Sequence, residues 1–107
     1  MIKVSVLYPH TDGARFDMRY YEEQHIPLVE RLVGAALLAV EIDQGTSGAA
    51  PGSAPIYVAA VHLYFDSVES FQQHFGPHGS EIRADIRNYT DIRPVIQIAE
   101  VRRAAKR

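Results

Sequence analysis

The segment from Ile56 to Phe65 constrains the fold more than any other part of the chain, because apolar side chains occupy both of its sides. Successive side chains of a strand point to opposite faces of a sheet. One face would carry Tyr57, Ala59, Val61, Leu63 and Phe65. The other would carry Ile56, Val58, Ala60, His62 and Tyr64. A strand that is apolar on both faces is typical of the interior of a sheet, so we predict a central strand here.

Three further strands and two helical regions complete the pattern. Alternating apolar residues predict strands at 2–8, 36–43 and 94–101. Helices are predicted between Asp17 and Gly34, between Ser67 and Gly76, and, as a short one, at 80–88. This order, with right-handed crossovers, predicts a ferredoxin-like α+β fold, βαββαβ, in which a four-stranded antiparallel sheet carries its helices on one face. A chain of 107 residues is expected to form one domain, 1–107.

The first helix has defined ends and a break inside it. Asp17 is suited to cap its N-terminus, and Gly34 is suited to end it. Pro27 has no N–H group and disfavours helical geometry at the residue before it, so we expect a kink or two abutting helices. Tyr21 and His25 fall on the apolar stripe of this helix, which places a polar imidazole on the face directed to the core.

The sheet is expected to need a second copy of the chain. The helices can cover only one of its faces, and the other face carries the apolar side chains of the strand at 56–65. Monomeric proteins rarely expose such a patch. Packing of the two open faces around a twofold axis would cover both patches. We therefore predict a homodimer that forms through the open sheet face.

Composition excludes several classes of protein. The net charge is −2 with both signs interspersed, and the only basic cluster is the predicted tail at 102–107, so we expect no nucleic-acid partner. No apolar run approaches the ~20 residues that cross a bilayer, and Met1 leads directly into a strand, so a cytoplasmic protein without membrane contact is expected. The small-residue segment 45–55 is predicted to be a flexible loop, either without a role or as a flap over a site.

The five histidines are the groups whose ordinary pKa lies near neutrality. His25 has two interpretations: a buried ring bonded to the backbone carbonyl that Pro27 leaves free, or a proton-transfer group. His78 lies at a turn between two helices, from which its side chain could point back over the sheet, and is the second candidate. His62 is expected in the interface between two copies, and the remaining two histidines are expected at the surface.

A histidine beside tyrosines in an apolar pocket suits proton transfer on an organic substrate. The imidazole would act as the base, and a phenol would donate a hydrogen bond to the developing enolate. This chemistry needs no cofactor, and we expect none. A metal site needs three or more converging ligands, which the sequence does not predict, and the absence of cysteine excludes thiolates as ligands or nucleophiles.

Several segments resemble the EthD family of dimeric α/β-barrel proteins. They are MIKVSVLYP at 1–9, FDM at 16–18, YY at 20–21, HIPLV at 25–29, FGPH at 75–78, NYTDI at 88–92 and PVIQI at 94–98. The resemblance covers nearly the whole chain except the loop at 45–55 and the basic tail. It implies a ferredoxin-like monomer whose sheet packs against that of a second copy to form a barrel, with a pocket between sheet and helices.

The resemblance also implies site residues. Similar barrels include muconolactone-type isomerases, polyketide cyclases and cofactor-free monooxygenases. A histidine early in the first helix of the isomerases corresponds to His25, and a histidine after the second helix of a cyclase corresponds to His78. These two are the expected catalytic residues. The residues expected to contact the ligand are Tyr21, Tyr64, His62 and Tyr89.

The leading hypothesis is an EthD-like catabolic protein that binds a small hydrophobic or aromatic molecule. If it is an enzyme, cofactor-independent isomerisation or cyclisation is expected. One alternative is a non-catalytic accessory protein that hands a hydrophobic compound to an oxidase, as in ethyl tert-butyl ether degradation. Another is a heme- or oxygen-handling barrel in which His25 or His78 would be the axial ligand.

Overall fold

The computed structural model describes residues 1–104 and shows the predicted order of strands and helices. The strands are β1 (Ile2–Pro9), β2 (Ala39–Gln44), β3 (Tyr57–Phe65) and β4 (Val95–Glu100). The first helical region consists of α1 (Met18–Tyr20), a π-helical turn (Tyr21–His25) and α2 (Ile26–Val33), followed by a 3₁₀ turn (Gly34–Ala36). The second consists of α3 (Val68–Phe75), a 3₁₀ turn (Gly76–His78), α4 (Gly79–Asp85) and a last 3₁₀ turn (Ile86–Asn88).

The four strands form one antiparallel sheet in the order β2-β3-β1-β4. The predicted ferredoxin-like α+β fold is confirmed, and so is the central position of β3. Register fixes which side chains share a face: Val4 of β1 lies opposite Leu63 of β3 on one side and Ile98 of β4 on the other. Because side chains alternate along each strand, this register separates the sheet into a face under the helices and an open face.

The core lies between the helices and the sheet face that they cover. Val4, Val61, Leu63 and Phe65 of the sheet are buried there, each at most 2% exposed. Tyr8 and the helical residues Tyr21, Ile26 and Val29 also belong to this core, with Ile82 of α4 and Tyr89, which directly follows the second helical region. The apolar stripe that the sequence predicts for the first helix is therefore the face that packs on the sheet.

The predicted helix signals operate as expected. The Asp17 carboxylate accepts a hydrogen bond of 3.0 Å from the Tyr20 N–H, and the Ser67 hydroxyl accepts one of 3.1 Å from the Ser70 N–H, so both helical regions begin at a side-chain cap. Gly34 ends α2 with φ of 74° and ψ of −149°, a conformation that is essentially restricted to glycine. The first helix therefore ends where its sequence requires it to end.

The first helix accommodates Pro27 in a way that the sequence did not predict. Instead of a kink at Pro27, the turn before it widens into π geometry, and the Ile26 N–H donates to the carbonyl of Tyr21, five residues earlier. Pro27 then stands in the first turn of α2, where its missing N–H costs little. The surplus residue of the π turn lets the helix accommodate the proline without a break.

The open sheet face is more polar than the pattern of β3 alone indicated, which corrects the prediction of an apolar patch. Register places Lys3 and Ser5 of β1, Glu41 and Asp43 of β2, and Gln97 of β4 on this face. The prediction considered one strand, whereas the composition of a face depends on all four. Of the exposed apolar residues of β4, Val95 (51% exposed) lies on the open face, whereas Ile96 and Ile98 (62% and 44% exposed) lie on the covered side.

Two other predicted segments lie away from the helix-covered face. The loop at 45–55 closes on itself, since the Gly48 N–H donates to the Ser53 carbonyl and the Ser53 N–H donates to the Ala50 carbonyl. Its flexibility stays a prediction. Of the predicted basic tail at 102–107, residues 105–107 lie outside the described residues. Across 1–104, no helix combines the length and the apolar composition needed to span a bilayer.

Candidate functional site

A cavity of about 710 Å³ opens between the helices and the covered sheet face. This volume lies within the range of about 300–1,000 Å³ that is typical of small-molecule sites. Its walls are mainly apolar and come from the sheet and from both helical regions: Val61, Leu63, Val29, Phe75, Ile82 and Ile86. A site of this kind favours an organic ligand with a substantial apolar part.

The π turn brings two polar rings to this cavity. Tyr21 and His25 both line it, and their rings stack at 5.5 Å between centroids with 14° between the planes. Both residues are buried, at 0% and 4% exposure. π turns are rare and recur at functional sites. The structure therefore brings together two of the residues that the sequence nominated.

His25 is held by a carboxylate that the sequence interpretation did not identify. Its Nδ1 lies 2.9 Å from Oδ2 of Asp85, at the end of α4. The other carboxylate oxygen of Asp85 accepts hydrogen bonds from the Tyr20 hydroxyl at 2.7 Å and from the Asn88 amide at 2.8 Å. The interpretation of His25 as a ring bonded to a free carbonyl near Pro27 is therefore wrong.

The charge states of this pair follow from its surroundings. Burial lowers the pKa of His25, and the hydrogen bond to Asp85 offsets that effect only in part. Burial alone would raise the pKa of Asp85, but hydrogen bonds from His25, Asn88 and Tyr20 lower it overall. At neutral pH Asp85 is thus ionised and His25 is neutral. A carboxylate can only accept, so the Nδ1 atom carries the proton and Nε2 keeps a lone pair.

Two polar groups of the residues that line the cavity have no hydrogen-bond partner in the described part of the chain. Within residues 1–104, Nε2 of His25 has no hydrogen-bond partner, and His25 lines the cavity. The Tyr21 hydroxyl is also buried without a partner among these residues. Burial strongly raises the pKa of Tyr21, which keeps the phenol protonated and able to donate. A buried polar group without a partner is uncommon and needs an explanation, such as a ligand.

Tyr89 packs against the rings of His25 and Tyr21. It is fully buried, and its hydroxyl shares a hydrogen bond of 2.6 Å with that of Tyr8. Its ring contacts that of His25 at 4.6 Å between centroids and that of Tyr21 at 5.0 Å. Tyr89 does not line the cavity, so the structure places this predicted ligand contact in the aromatic packing around His25 instead.

The other predicted site residues lie elsewhere. His62 and Tyr64 are on the open sheet face, across the sheet from His25. His78 is half-buried in the 3₁₀ turn before α4 and does not line the cavity, and no hydrogen bond of its side chain occurs within residues 1–104. The structure thus gives His78 no place beside His25, and its catalytic role stays a prediction.

On the open face, His62 takes part in a Ser–His–Asp arrangement. Its Nδ1 lies 2.7 Å from Oγ of Ser5, and its Nε2 lies 3.0 Å from Oδ2 of Asp43. Ser5 is buried within β1, which pairs with a strand on each side, so its backbone N–H belongs to the sheet. Without free N–H groups to hold an oxyanion, this arrangement does not fit acyl transfer. In the described part of the chain, no group of three potential metal ligands converges.

Asp85 could have been found from the sequence by its spacing. It lies three residues after Ile82 and directly before Ile86, the two isoleucines that give the short helix at 80–88 its apolar side. A carboxylate beside such positions borders the covered face of the helix. What the spacing could not show is that His25, sixty residues earlier, would lie opposite it.

The fold and this site together define a ferredoxin-like α+β protein with an internal apolar cavity that contains an Asp–His pair. The EthD domain model matches residues 9–93, which are most of the chain. The chain therefore belongs to the EthD family.

Individual relatives agree with this assignment. An EthD-like protein from Ralstonia eutropha JMP134 has 45% sequence identity and a TM-score of 0.92, covering 98% of this chain and 96% of that protein. An ethyl tert-butyl ether family (EthD) protein from Bacillus halodurans C-125 has 21% identity and a TM-score of 0.69, covering 94% and 97%. An uncharacterised 11.0 kDa protein of the thcB–thcC intergenic region of Rhodococcus erythropolis is 32% identical over 91 residues, covering 83% and 84%.

Proposed function

We propose that this EthD-family protein binds a small, largely apolar organic molecule in the cavity and moves a proton on it without a cofactor, with His25 as the base. The observation that carries the proposal is the Asp85–His25 pair: His25 lines an apolar cavity, and within residues 1–104 its Nε2 has no hydrogen-bond partner. An oriented imidazole with a carboxylate behind it is the arrangement that makes histidine an effective base.

The reaction that fits this geometry begins at a carbon next to a carbonyl group. Nε2 of His25 takes the proton, the electron pair of the C–H bond forms an enolate, and Asp85 stabilises the imidazolium that results. The Tyr21 phenol, which burial keeps protonated, would donate a hydrogen bond to the enolate oxygen. Return of the proton to a different carbon gives an isomerisation. Attack of the enolate carbon on a second carbonyl of the same molecule gives a cyclisation, in which the resulting alkoxide takes the proton back from the imidazolium.

Proton exchange into simple substrates tests this proposal. In D₂O, the protein is expected to speed deuterium incorporation into α-angelica lactone or an aryl 1,3-diketone, monitored by ¹H NMR. A positioned acid or base contributes about 10²–10⁴-fold, so His25→Ala should lose most of the acceleration. His74→Ala is the matched control, because His74 is exposed on α3 and bonds only to a carbonyl of its own helix. Ligand binding without exchange, equal in wild type and His25→Ala, would show a carrier rather than a catalyst.

A homodimer through the open sheet face is the second part of the proposal. Leu7, Val58, Ala60 and Val95 give this face its apolar component, between polar side chains that already satisfy one another, such as the Tyr64 hydroxyl and Glu41. Sedimentation is expected to give twice the 12.0 kDa chain mass. Val95→Glu should shift the equilibrium toward monomer, whereas Leu38→Glu, which is similarly exposed but belongs to the covered side, should not. A wild-type chain that sediments as a stable monomer contradicts this proposal.

A further inference from the structure

The cavity carries a cluster of positive charge that the proton-transfer chemistry does not use. Arg83 and Arg87, one helical turn apart, and Arg93, just before β4, all line it. All three side chains are exposed at the surface end of the cavity, while its walls are apolar. The cavity therefore combines an apolar interior with guanidinium groups at its opening.

These guanidinium groups are not neutralised by the protein. Among residues 1–104, none of the three forms an ion pair with a carboxylate. Among the described residues, Asp91 is the one carboxylate that lines the cavity, and it accepts a hydrogen bond of 2.9 Å from the Arg15 backbone N–H. Positive charge thus exceeds negative charge around this opening, although the whole chain carries a net charge of −2. Such a local excess attracts an anion.

The position of the cluster is held by the backbone. The Arg15 guanidinium donates to the carbonyl of Arg87 at 2.9 Å, and the Thr90 hydroxyl donates to the carbonyl of Arg15 at 2.6 Å. These bonds tie the segment that carries Arg87 and Arg93 to the start of the first helical region, which also supplies His25. The opening and the base are therefore fixed relative to each other.

We infer that the ligand is an amphipathic organic acid, whose apolar body occupies the cavity beside His25 while its carboxylate is bound at the opening by Arg87 and its neighbours. The inference rests on the proposed function, because it assigns the substrate class of the same cavity. The planar guanidinium fork matches a carboxylate with two parallel hydrogen bonds. Binding at one end would also fix which carbon of the ligand meets Nε2.

A pair of nearly isosteric probes tests the inference. Naphthalene-1-acetate and naphthalene-1-acetamide differ in charge but hardly in shape, and their Kd values are measured by titration calorimetry at low and at 0.5 M salt. The acid is expected to bind at least tenfold more tightly than the amide at low salt, since hydrogen bonds to charged groups are worth about that factor or more. High salt should reduce this difference in affinity between the acid and the amide, because salt screens the charges at an exposed opening.

Substitutions of the arginines identify the residues that cause the preference for the acid. Arg87→Gln and the double variant Arg83→Gln/Arg87→Gln are expected to remove most of the preference for the acid while leaving the affinity for the amide unchanged. Arg87→Lys should retain part of it, since lysine keeps the charge but not the two-pronged geometry. Arg19→Gln is the control, because Arg19 pairs with Glu23 on the helix surface and does not line the cavity.

The outcomes separate this inference from the function on which it rests. Equal affinity for acid and amide in the wild type, or equal loss in Arg87→Gln and Arg19→Gln, overturns the inference while His25-dependent exchange still stands. Binding of neither probe, together with no exchange into the test substrates, overturns the proposed function and the inference with it. A preference for the acid that disappears in the Arg83 and Arg87 variants supports both.

Discussion

Asp85→Asn is expected to lower the rate of proton exchange by about 10²-fold or more while the fold is retained. The asparagine amide can present its N–H₂ to Nδ1 of His25, which favours the tautomer with the proton on Nε2. The lone pair would then face away from the cavity, and the imidazolium formed during the reaction would lose its counter-charge. The measurement is deuterium incorporation at saturating substrate, with circular dichroism to establish folding.

The pH profile distinguishes a positioning role of Asp85 from a merely structural one. In the wild type, the rate should fall in acid as His25 becomes protonated, at a pH below the ordinary value of about 6.5 because burial lowers the pKa of this histidine. Asp85 favours the protonated ring, so its replacement lowers the pKa of His25 further and should move the acid limb to lower pH. Asp91→Asn, a change of a carboxylate that does not contact His25, should leave that limb in place. An Asp85→Asn variant with the wild-type rate and profile would show that Asp85 neither positions His25 nor stabilises its protonated form.

Tyr89→Ala is expected to have the largest effect on stability, lowering the free energy of unfolding by about 3–5 kcal/mol. Tyr89 is fully buried, and its ring lies against those of Tyr8, Phe16, Tyr21 and His25. The truncation leaves a cavity at the centre of this packing and removes the partner of the Tyr8 hydroxyl. Because domains of this size are stabilised by about 5–15 kcal/mol, urea unfolding should show a large shift of the midpoint.

Milder substitutions indicate whether Tyr89 is structural. Tyr89→Phe keeps the ring but leaves the Tyr8 hydroxyl buried without its partner, so a loss of about 1–3 kcal/mol is expected with unchanged ligand affinity. Tyr57→Ala, at a side chain that is 37% exposed, should cost much less than Tyr89→Ala. If Tyr89→Phe unfolds like the wild type but binds naphthalene-1-acetate poorly, Tyr89 is a ligand contact, as its sequence position had led us to expect.

The fold could be predicted from the sequence because its determinants are local. Alternation in β1 and β3, the Asp17 cap and the terminating Gly34 each depend on a few neighbouring residues, and all act in the structure as expected. The polar character of the open sheet face could not be predicted in the same way. Its character depends on the residues that three other strands place beside β3, and these are known only when the register is known.

The site was predictable only in part for the same physical reason. Tyr21 and His25 drew attention because polar groups on an apolar stripe are conspicuous within one helix, and both line the cavity, while their roles stay predictions. The roles of Asp85 and of the three arginines depend on packing between segments that are distant in sequence, and the sequence alone does not show that packing. For His78, the sequence predicted the turn in which the residue lies but not the direction of its side chain, because tertiary packing sets that direction.

The π turn has a consequence for how this chain tolerates insertions and deletions. Residues five apart on an α-helix lie about 140° apart around the axis, on nearly opposite sides. Tyr20 and His25 are five apart, yet both reach the Asp85 carboxylate, because the wider turn brings them to one side. Deletion of one residue within this turn could preserve a regular helix and every named side chain while separating the base from its carboxylate. Conservation of chain length across positions 20–25 is therefore as informative about the site in other members of the family as conservation of the histidine itself.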